Sequence, residues 1–175
     1  MPNGLLKGKR GLIFGALDEK SLAWKVAQKA YAEGAEIILS NAPVALRMGG
    51  KIDELAEKCN SEVIPADATS IPDIENLFAK VLKKGKIDFL LHSIGMSPNV
   101  RKNFSYTELN HEFFLKTLDI SALSLHKILQ TAWKMDAINE WGSVVALSYI
   151  AAQRTLPGYK DMAEAKAVLE SIVRS

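Results

Sequence analysis

The chain has 175 residues, 48% apolar and 24% charged, with 22 basic and 20 acidic side chains giving a net charge of +2. This length fits one globular domain over residues 1–175, and the interspersed charges leave no electrostatic footprint for nucleic acid or a membrane surface. Cys59 is the sole cysteine, which excludes an internal disulfide or a thiolate metal cluster; with no signal-type leader and no long apolar run, the expected compartment is the cytoplasm.

The first apolar run, Gly11–Gly15, predicts a strand, and the pattern over Leu22–Glu33 predicts a helix. A strand delivering the chain to a helix N-terminus offers unpaired N–H groups to an anion. After Gly15 no glycine occurs until Gly34, so other residues must serve such a turn. Gly15 makes the bend, Ser21 can cap the helix and offer its hydroxyl to phosphate, and Ala23 allows close helix–strand packing. Asp18 and Glu19 oppose an anion unless they point outward.

The second strand, Glu36–Ser40, ends at Asn41, where a carboxylate would normally hold an adenosine ribose. Asn41 can hydrogen-bond a ribose hydroxyl without adding charge, and Arg47 is the nearby cation that could meet a 2′-phosphate. The cofactor choice stays open on this pattern, with NADH favoured over NADPH. A helix over Ile52–Lys58 and a strand over Glu62–Ala66 follow. Asp67 either accepts from an adenine amino group or begins a turn before the next helix, Ile71–Lys84.

The fourth strand, Ile87–Ser93, places Ser93 and Gly95 at its carboxyl end, and Gly95 permits close approach of a ligand. His92 reads as a packed, hydrogen-bonded residue, and His111 and His126 lack metal-ligand spacing. The irregular stretch Gly95–Tyr106 is placed to line a site beyond the strand ends. One long helix is predicted over Thr107–Met135, with an apolar stripe that includes Thr117 and Ser121. A fifth strand, Gly142–Ser148, and a last helix, Tyr159–Arg174, complete the pattern. Strands apolar on both faces, alternating with helices, predict an α/β, Rossmann-type doubly wound parallel sheet in the order 3-2-1-4-5.

Chemistry concentrates in Leu147–Lys166, which contains Tyr149, Tyr159 and Lys166. On one helix, seven residues turn about 700° and rise about 10.5 Å, so Tyr159 and Lys166 would share a face. An ammonium near a phenol favours its ionised form and strengthens it as a donor, which can polarise a carbonyl during hydride transfer. The alternative is an accidental pair of surface residues.

The segments "LLKGKRGLIFGALDEKSLAW", "LLHSIGMSP", "LDISALSL" and "YKDMAEAK" resemble the enoyl-acyl carrier protein reductases of the short-chain dehydrogenase/reductase superfamily, across essentially the whole chain. Six residues separate tyrosine from lysine, whereas most relatives in the superfamily place three there. The resemblance implies that Gly15, Ser21 and Leu22 face the pyrophosphate of NAD, that Asp67 and Ala68 hold adenine, and that Ser93, Ile94 and Gly95 flank the nicotinamide half. It implies further that Lys166 holds the nicotinamide ribose, that Tyr159 donates to the substrate thioester oxygen, and that Tyr149 and Met162 line the substrate side.

The reaction implied is reduction of a trans-2-enoyl thioester, carried by acyl carrier protein, with NADH in fatty acid synthesis. The assembly implied is a homotetramer paired through the long helix and the last one. Family chains continue into another strand, a mobile segment over the acyl chain and a final strand. This sequence ends at Ser175, so a sheet truncated before its last strands is expected, as a fragment or a natural short form. Two other readings remain: a non-catalytic dinucleotide-binding or oligomerisation module, and a ketone-directed short-chain reductase.

Overall fold

The computed structural model describes residues 3–47 and 51–175. Five parallel strands form one sheet in the order β3-β2-β1-β4-β5, as expected. β1 (Arg10–Phe14) lies at its centre, paired with β2 (Glu36–Ser40) through Phe14 opposite Ser40, and with β4 (Ile87–His92) through Phe14 opposite His92. All five residues of β1 are buried, which explains why its sequence shows no polar alternation.

Alternate side chains of the central strands feed two cores. Leu12, Phe14, Ile38 and Leu90 pack with Ile74, Leu77, Phe78 and Val81 of α4 (Ile71–Leu82), and with Ile128 and Ala132. On the opposite face Ile13, Ile37, Leu39 and Leu91 pack with Ala23, Trp24 and Ala27 of α1 (Leu22–Ala32) and with Ile52 and Leu55 of α3 (Ile52–Lys58). A short helix, α2 (Pro43–Arg47), precedes α3 and was not anticipated. Among the described residues no helix is long and apolar enough to cross a membrane.

Three elements depart from expectation. β3 spans only Glu62–Val63, because Pro65 has no N–H to donate. The extended chain beyond still bonds through Ile64 N–H to Leu39 and Ala66 N–H to Asn41. β5 starts earlier, at Ile138, and runs to Ala146 through a bulge before the ladder resumes with Ser143 opposite Phe89; exposed Trp141 sits there at φ 64°. The predicted irregular stretch contains one helical turn, α5 (Pro98–Arg101), capped by the Ser97 hydroxyl, which accepts from Val100 N–H.

The single long helix is resolved into parts. It begins at His111 rather than Thr107, because the Asn110 side chain caps it by accepting from Phe113 N–H after a 3₁₀ turn at Tyr106–Glu108. α6 (His111–Leu118) then passes through a π-helical turn at Asp119–Leu123 into α7 (Ser124–Lys134). The widened turn brings buried hydroxyls towards the end of β4. Ser121 Oγ accepts from Met96 N–H and donates to the Met96 carbonyl, while Ser124 Oγ lies 2.8 Å from His92 Nε2. Such turns recur where a helix must present polar groups to a site. The last helix, α8 (Asp161–Arg174), packs Leu169 against Ala122 and Leu125.

Gly15 closes the top of β1 at φ +92°, and an added Cβ would lie 2.0 Å from the Ser93 carbonyl oxygen. Gly15→Ala therefore combines an unfavourable backbone conformation with a clash against the next strand. It is expected to cost more than about 1 kcal/mol, read as a lower urea midpoint at unchanged slope. An unchanged midpoint would refute the assignment.

Candidate active site

The carboxyl ends of β1, β2 and β4 converge on one edge of the sheet. Gly15 N–H donates to the Ser40 carbonyl, and Ser93 N–H to the Phe14 carbonyl. Ser21 occupies the N-cap position of α1, yet it makes no capping bond. Its hydroxyl instead donates to the Asp18 carbonyl and accepts from Leu17 N–H. Capping by Ser21 is therefore corrected: the loop closes on itself and leaves the first turn of α1 without a side-chain partner. Asp18 is drawn inward, its carboxylate accepting from Lys20 and Ser21 N–H, and Glu19 lies 3.7 Å from Lys58. Leu22 is exposed at the helix start.

Asn41 braces two strand ends, its amide donating to the Ala16 carbonyl and its oxygen accepting from Ala42 N–H. Arg47 Nε donates to the Pro43 carbonyl of its own helix. Asp67 forms a turn through one oxygen: Oδ1 accepts from Thr69 N–H and from the Thr69 hydroxyl. Ala68 beside it is buried. Lys127 ties this turn to the π turn, bonding the Thr69 carbonyl at 2.9 Å and Asp119 at 2.6 Å.

Beyond β4 and β5 the structure brings together Ile94, Gly95, Leu147, Met162 and Lys166. Lys166 is 6% exposed, and its ammonium donates to the carbonyls of Leu147 at 2.7 Å and Ile94 at 3.3 Å. Burial pulls its pKa from 10.5 down to about 8, so it remains largely charged at neutral pH. A Cβ on Gly95 would stand 3.8 Å from Lys166 Nζ and 3.9 Å from Met162 Cε, ordinary contact distances that place Gly95 directly beside the ammonium. Tyr149 and Tyr159 pack ring to ring, with centroids 4.8 Å apart.

Two expectations are corrected here. Tyr159 does not share a helix with Lys166: α8 begins at Asp161, because Pro157 and Gly158 turn the chain and Lys160 adopts φ 53°, ψ −138°. Nor does the ammonium set the phenol's ionisation: it is bonded to the Leu147 and Ile94 carbonyls, and burial governs Tyr159 instead. The Tyr159 pKa is raised, first by burial and second by Tyr149. Tyr159 is thus a phenol at neutral pH, a donor rather than a proton source. His92 is fully buried; burial and then the Lys166 charge lower its pKa to about 4, consistent with a packing role.

The enoyl-(acyl carrier protein) reductase family profile matches residues 15–175. The chain belongs to this family. It is 38% identical to an NADH enoyl-[acyl-carrier-protein] reductase, FabI, of Rickettsia bellii, over 99% of this chain and 66% of that protein. The FabI–NADH complex from Alistipes finegoldii is 65% identical with a TM-score of 0.95, covering 98% of this chain and 61% of that one. The enzyme from Anaplasma phagocytophilum, solved with NAD, is 30% identical with a TM-score of 0.87, over 98% and 65%. The chain thus spans less than two thirds of the length of each of these relatives.

The sequence alone did not show a buried polar cluster of Ser97, Asn99, Thr117 and Asp161, the last of these two residues after Tyr159. An acidic residue opening an apolar helix was its visible signal, but the three partners come from distant segments.

Burial of the Lys166 ammonium makes stability depend on pH. The charged form is penalised in the folded state at every pH below about 8; between about 8 and 10.5 the folded lysine is neutral while the unfolded one stays charged, so stability rises. Relative to Lys166→Met, the wild-type chain is expected to gain unfolding free energy across that window in denaturant titrations. A pH-independent difference would contradict a buried ammonium.

Proposed function

We propose that this chain is the dinucleotide-binding part of an NADH-dependent enoyl-acyl carrier protein reductase. The observation that carries the reading is the buried Lys166 ammonium held on the Leu147 and Ile94 carbonyls close to Gly95, together with the packed Tyr149–Tyr159 pair on the segment that leads into the same helix. The relatives solved with NADH or NAD support the same choice of cofactor. So does the strand end at Asn41, which is neutral and committed to Ala16, with Arg47 turned to its own helix.

In this reading Gly15, Ser21, Leu22 and the uncapped start of α1 face the pyrophosphate, Asp67 and Ala68 the adenine, and Asn41 a ribose hydroxyl. Ser93, Ile94 and Gly95 border the nicotinamide half, with Lys166 on its ribose. When bound, the cofactor supplies a hydride to the β-carbon of a trans-2-enoyl thioester carried by acyl carrier protein. The displaced electron pair collects on the thioester oxygen, where the neutral Tyr159 phenol donates a hydrogen bond; a proton from solvent then adds at the α-carbon. Donation without loss of the proton suits a phenol whose pKa is raised. Met162 and Tyr149 line the acyl side.

The assembly we infer is a homotetramer in the cytoplasm, paired through the α6–α7 helix and α8. Exposed Leu115, Leu123 and Val173 on these helices support self-association. Sedimentation equilibrium is expected to show it; a monomer at high concentration would count against it.

The decisive assay is NADH oxidation dependent on a trans-2-enoyl thioester, in the chain joined to the remaining C-terminal part of the Alistipes finegoldii relative. Tyr159→Phe is expected to lower kcat by about 10²- to 10³-fold, as for loss of one oxyanion donor, with NADH affinity unchanged. Lys166→Ala should weaken NADH binding as well as turnover. Thioester-independent behaviour of all three proteins would overturn the reductase reading.

A further inference from the structure

Asp161 is fully buried at the first position of α8, and no cationic side chain forms an ion pair with it among the described residues. Its carboxylate is held by three neutral donors from other parts of the chain. The Ser97 hydroxyl donates to Oδ1 at 2.7 Å, while Asn99 Nδ2 and the Thr117 hydroxyl donate to Oδ2 at 2.9 and 2.7 Å. All four residues are buried, and Asn99 extends the network by bonding both the N–H and the carbonyl of Asn110, the cap of α6. Three hydrogen bonds and the positive end of a helix compensate a charge that would otherwise be costly to bury.

The buried carboxylate and its three donors depend on one another, since loss of any one member leaves buried polar groups unpaired, so the network rigidly fixes where these segments meet. Tyr159 is joined to Asp161 through Lys160, whose φ of 53° and ψ of −138° favour glycine. A lysine keeps that conformation only where both sides are fixed. On one side the Tyr159 carbonyl accepts from Met162 N–H in the first turn of α8, and on the other the Asp161 carboxylate is locked into the loop after β4 and into α6.

We infer that Asp161 is a positioning residue: by anchoring α8 to Ser97, Asn99 and Thr117 it holds the strained Lys160 link, and through it sets the Tyr159 ring against Tyr149. This rests on the reductase reading for its effect on turnover, but not for its effect on geometry. The carboxylate touches neither cofactor nor substrate in this scheme and acts through Tyr159.

The test is NMR of ring-labelled tyrosine in the 175-residue chain, supported by NADH titration and the thermal midpoint. In the wild type, ring-current shifts report the Tyr149–Tyr159 stack. Asp161→Ala is expected to abolish those shifts while NADH affinity changes less than about threefold, since Lys166 keeps its own carbonyl anchors. Asp161→Asn should restore them, because its amide can accept from Asn99 and Thr117 and donate to the Ser97 hydroxyl. Thr117→Val, which removes one donor from another helix, should give a partial loss, and it decides the matter if Asp161→Ala does not fold. Wild-type ring shifts in a folded Asp161→Ala, or in Thr117→Val in its place, would overturn the inference even if the midpoint falls. In the extended reductase, the displaced phenol should cost about 10²-fold in kcat. Absence of thioester-dependent turnover in the wild type would remove the reductase reading and leave the ring shifts to decide this one.

Discussion

The architecture of the site depends on one buried cation. The Lys166 ammonium reaches from α8 to the carbonyls of Ile94 and Leu147, beyond the ends of β4 and β5. It therefore ties the last helix to two strands of the sheet. Holding it there is unfavourable for the charge, as the lowered pKa records, at a cost on the order of 3 kcal/mol. The two carbonyls orient the ammonium under Gly95 while leaving further donor capacity for a ligand. A cation that is poorly solvated but already oriented gains more from a polar ligand than one free in water.

Polar groups buried around this cation perform separate tasks. Ser121 and Ser124, presented by the π turn, hold the chain at Met96 and the ring of His92. Asp161 collects Ser97, Asn99 and Thr117 and so fixes where α8 begins. These hydrogen bonds lie among apolar packing and have little competition from water, which makes their geometry restrictive as well as stabilising. The tyrosine pair sits at the edge of this rigid frame, half in solvent, where a substrate can reach it.

The strand ends around Asn41 and Asp67 are built differently. Asn41, Asp18 and Asp67 spend their side chains on nearby backbone, shaping turns before any ligand is considered. Lys127 joins the Asp67 turn to the π turn, so the two ends of the edge share one helix. The first turn of α1 is left without a side-chain cap, its N–H groups unmatched by any side chain among the described residues.

By itself the sequence determined the parallel sheet, its strand order and most element limits, because buried strands and amphipathic helices leave periodic patterns that depend on local chain geometry alone. The tyrosine, the lysine and the glycine turn were legible for the same reason, as residues of distinctive chemistry at fixed spacing. What only the tertiary structure decided was their mutual arrangement. Pro157 and Gly158 turn the chain before α8, but the groups that meet the first residue of that helix, Asp161, come from positions 97, 99 and 117, which no local pattern could place there. The stripe containing Thr117 and Ser121 looked apolar because helical periodicity shows which face is buried, not what polar partner waits there. The π turn, the carbonyls that hold Lys166 and the raised pKa of Tyr159 likewise arise from groups far apart in the chain, whose meeting is set by packing and desolvation.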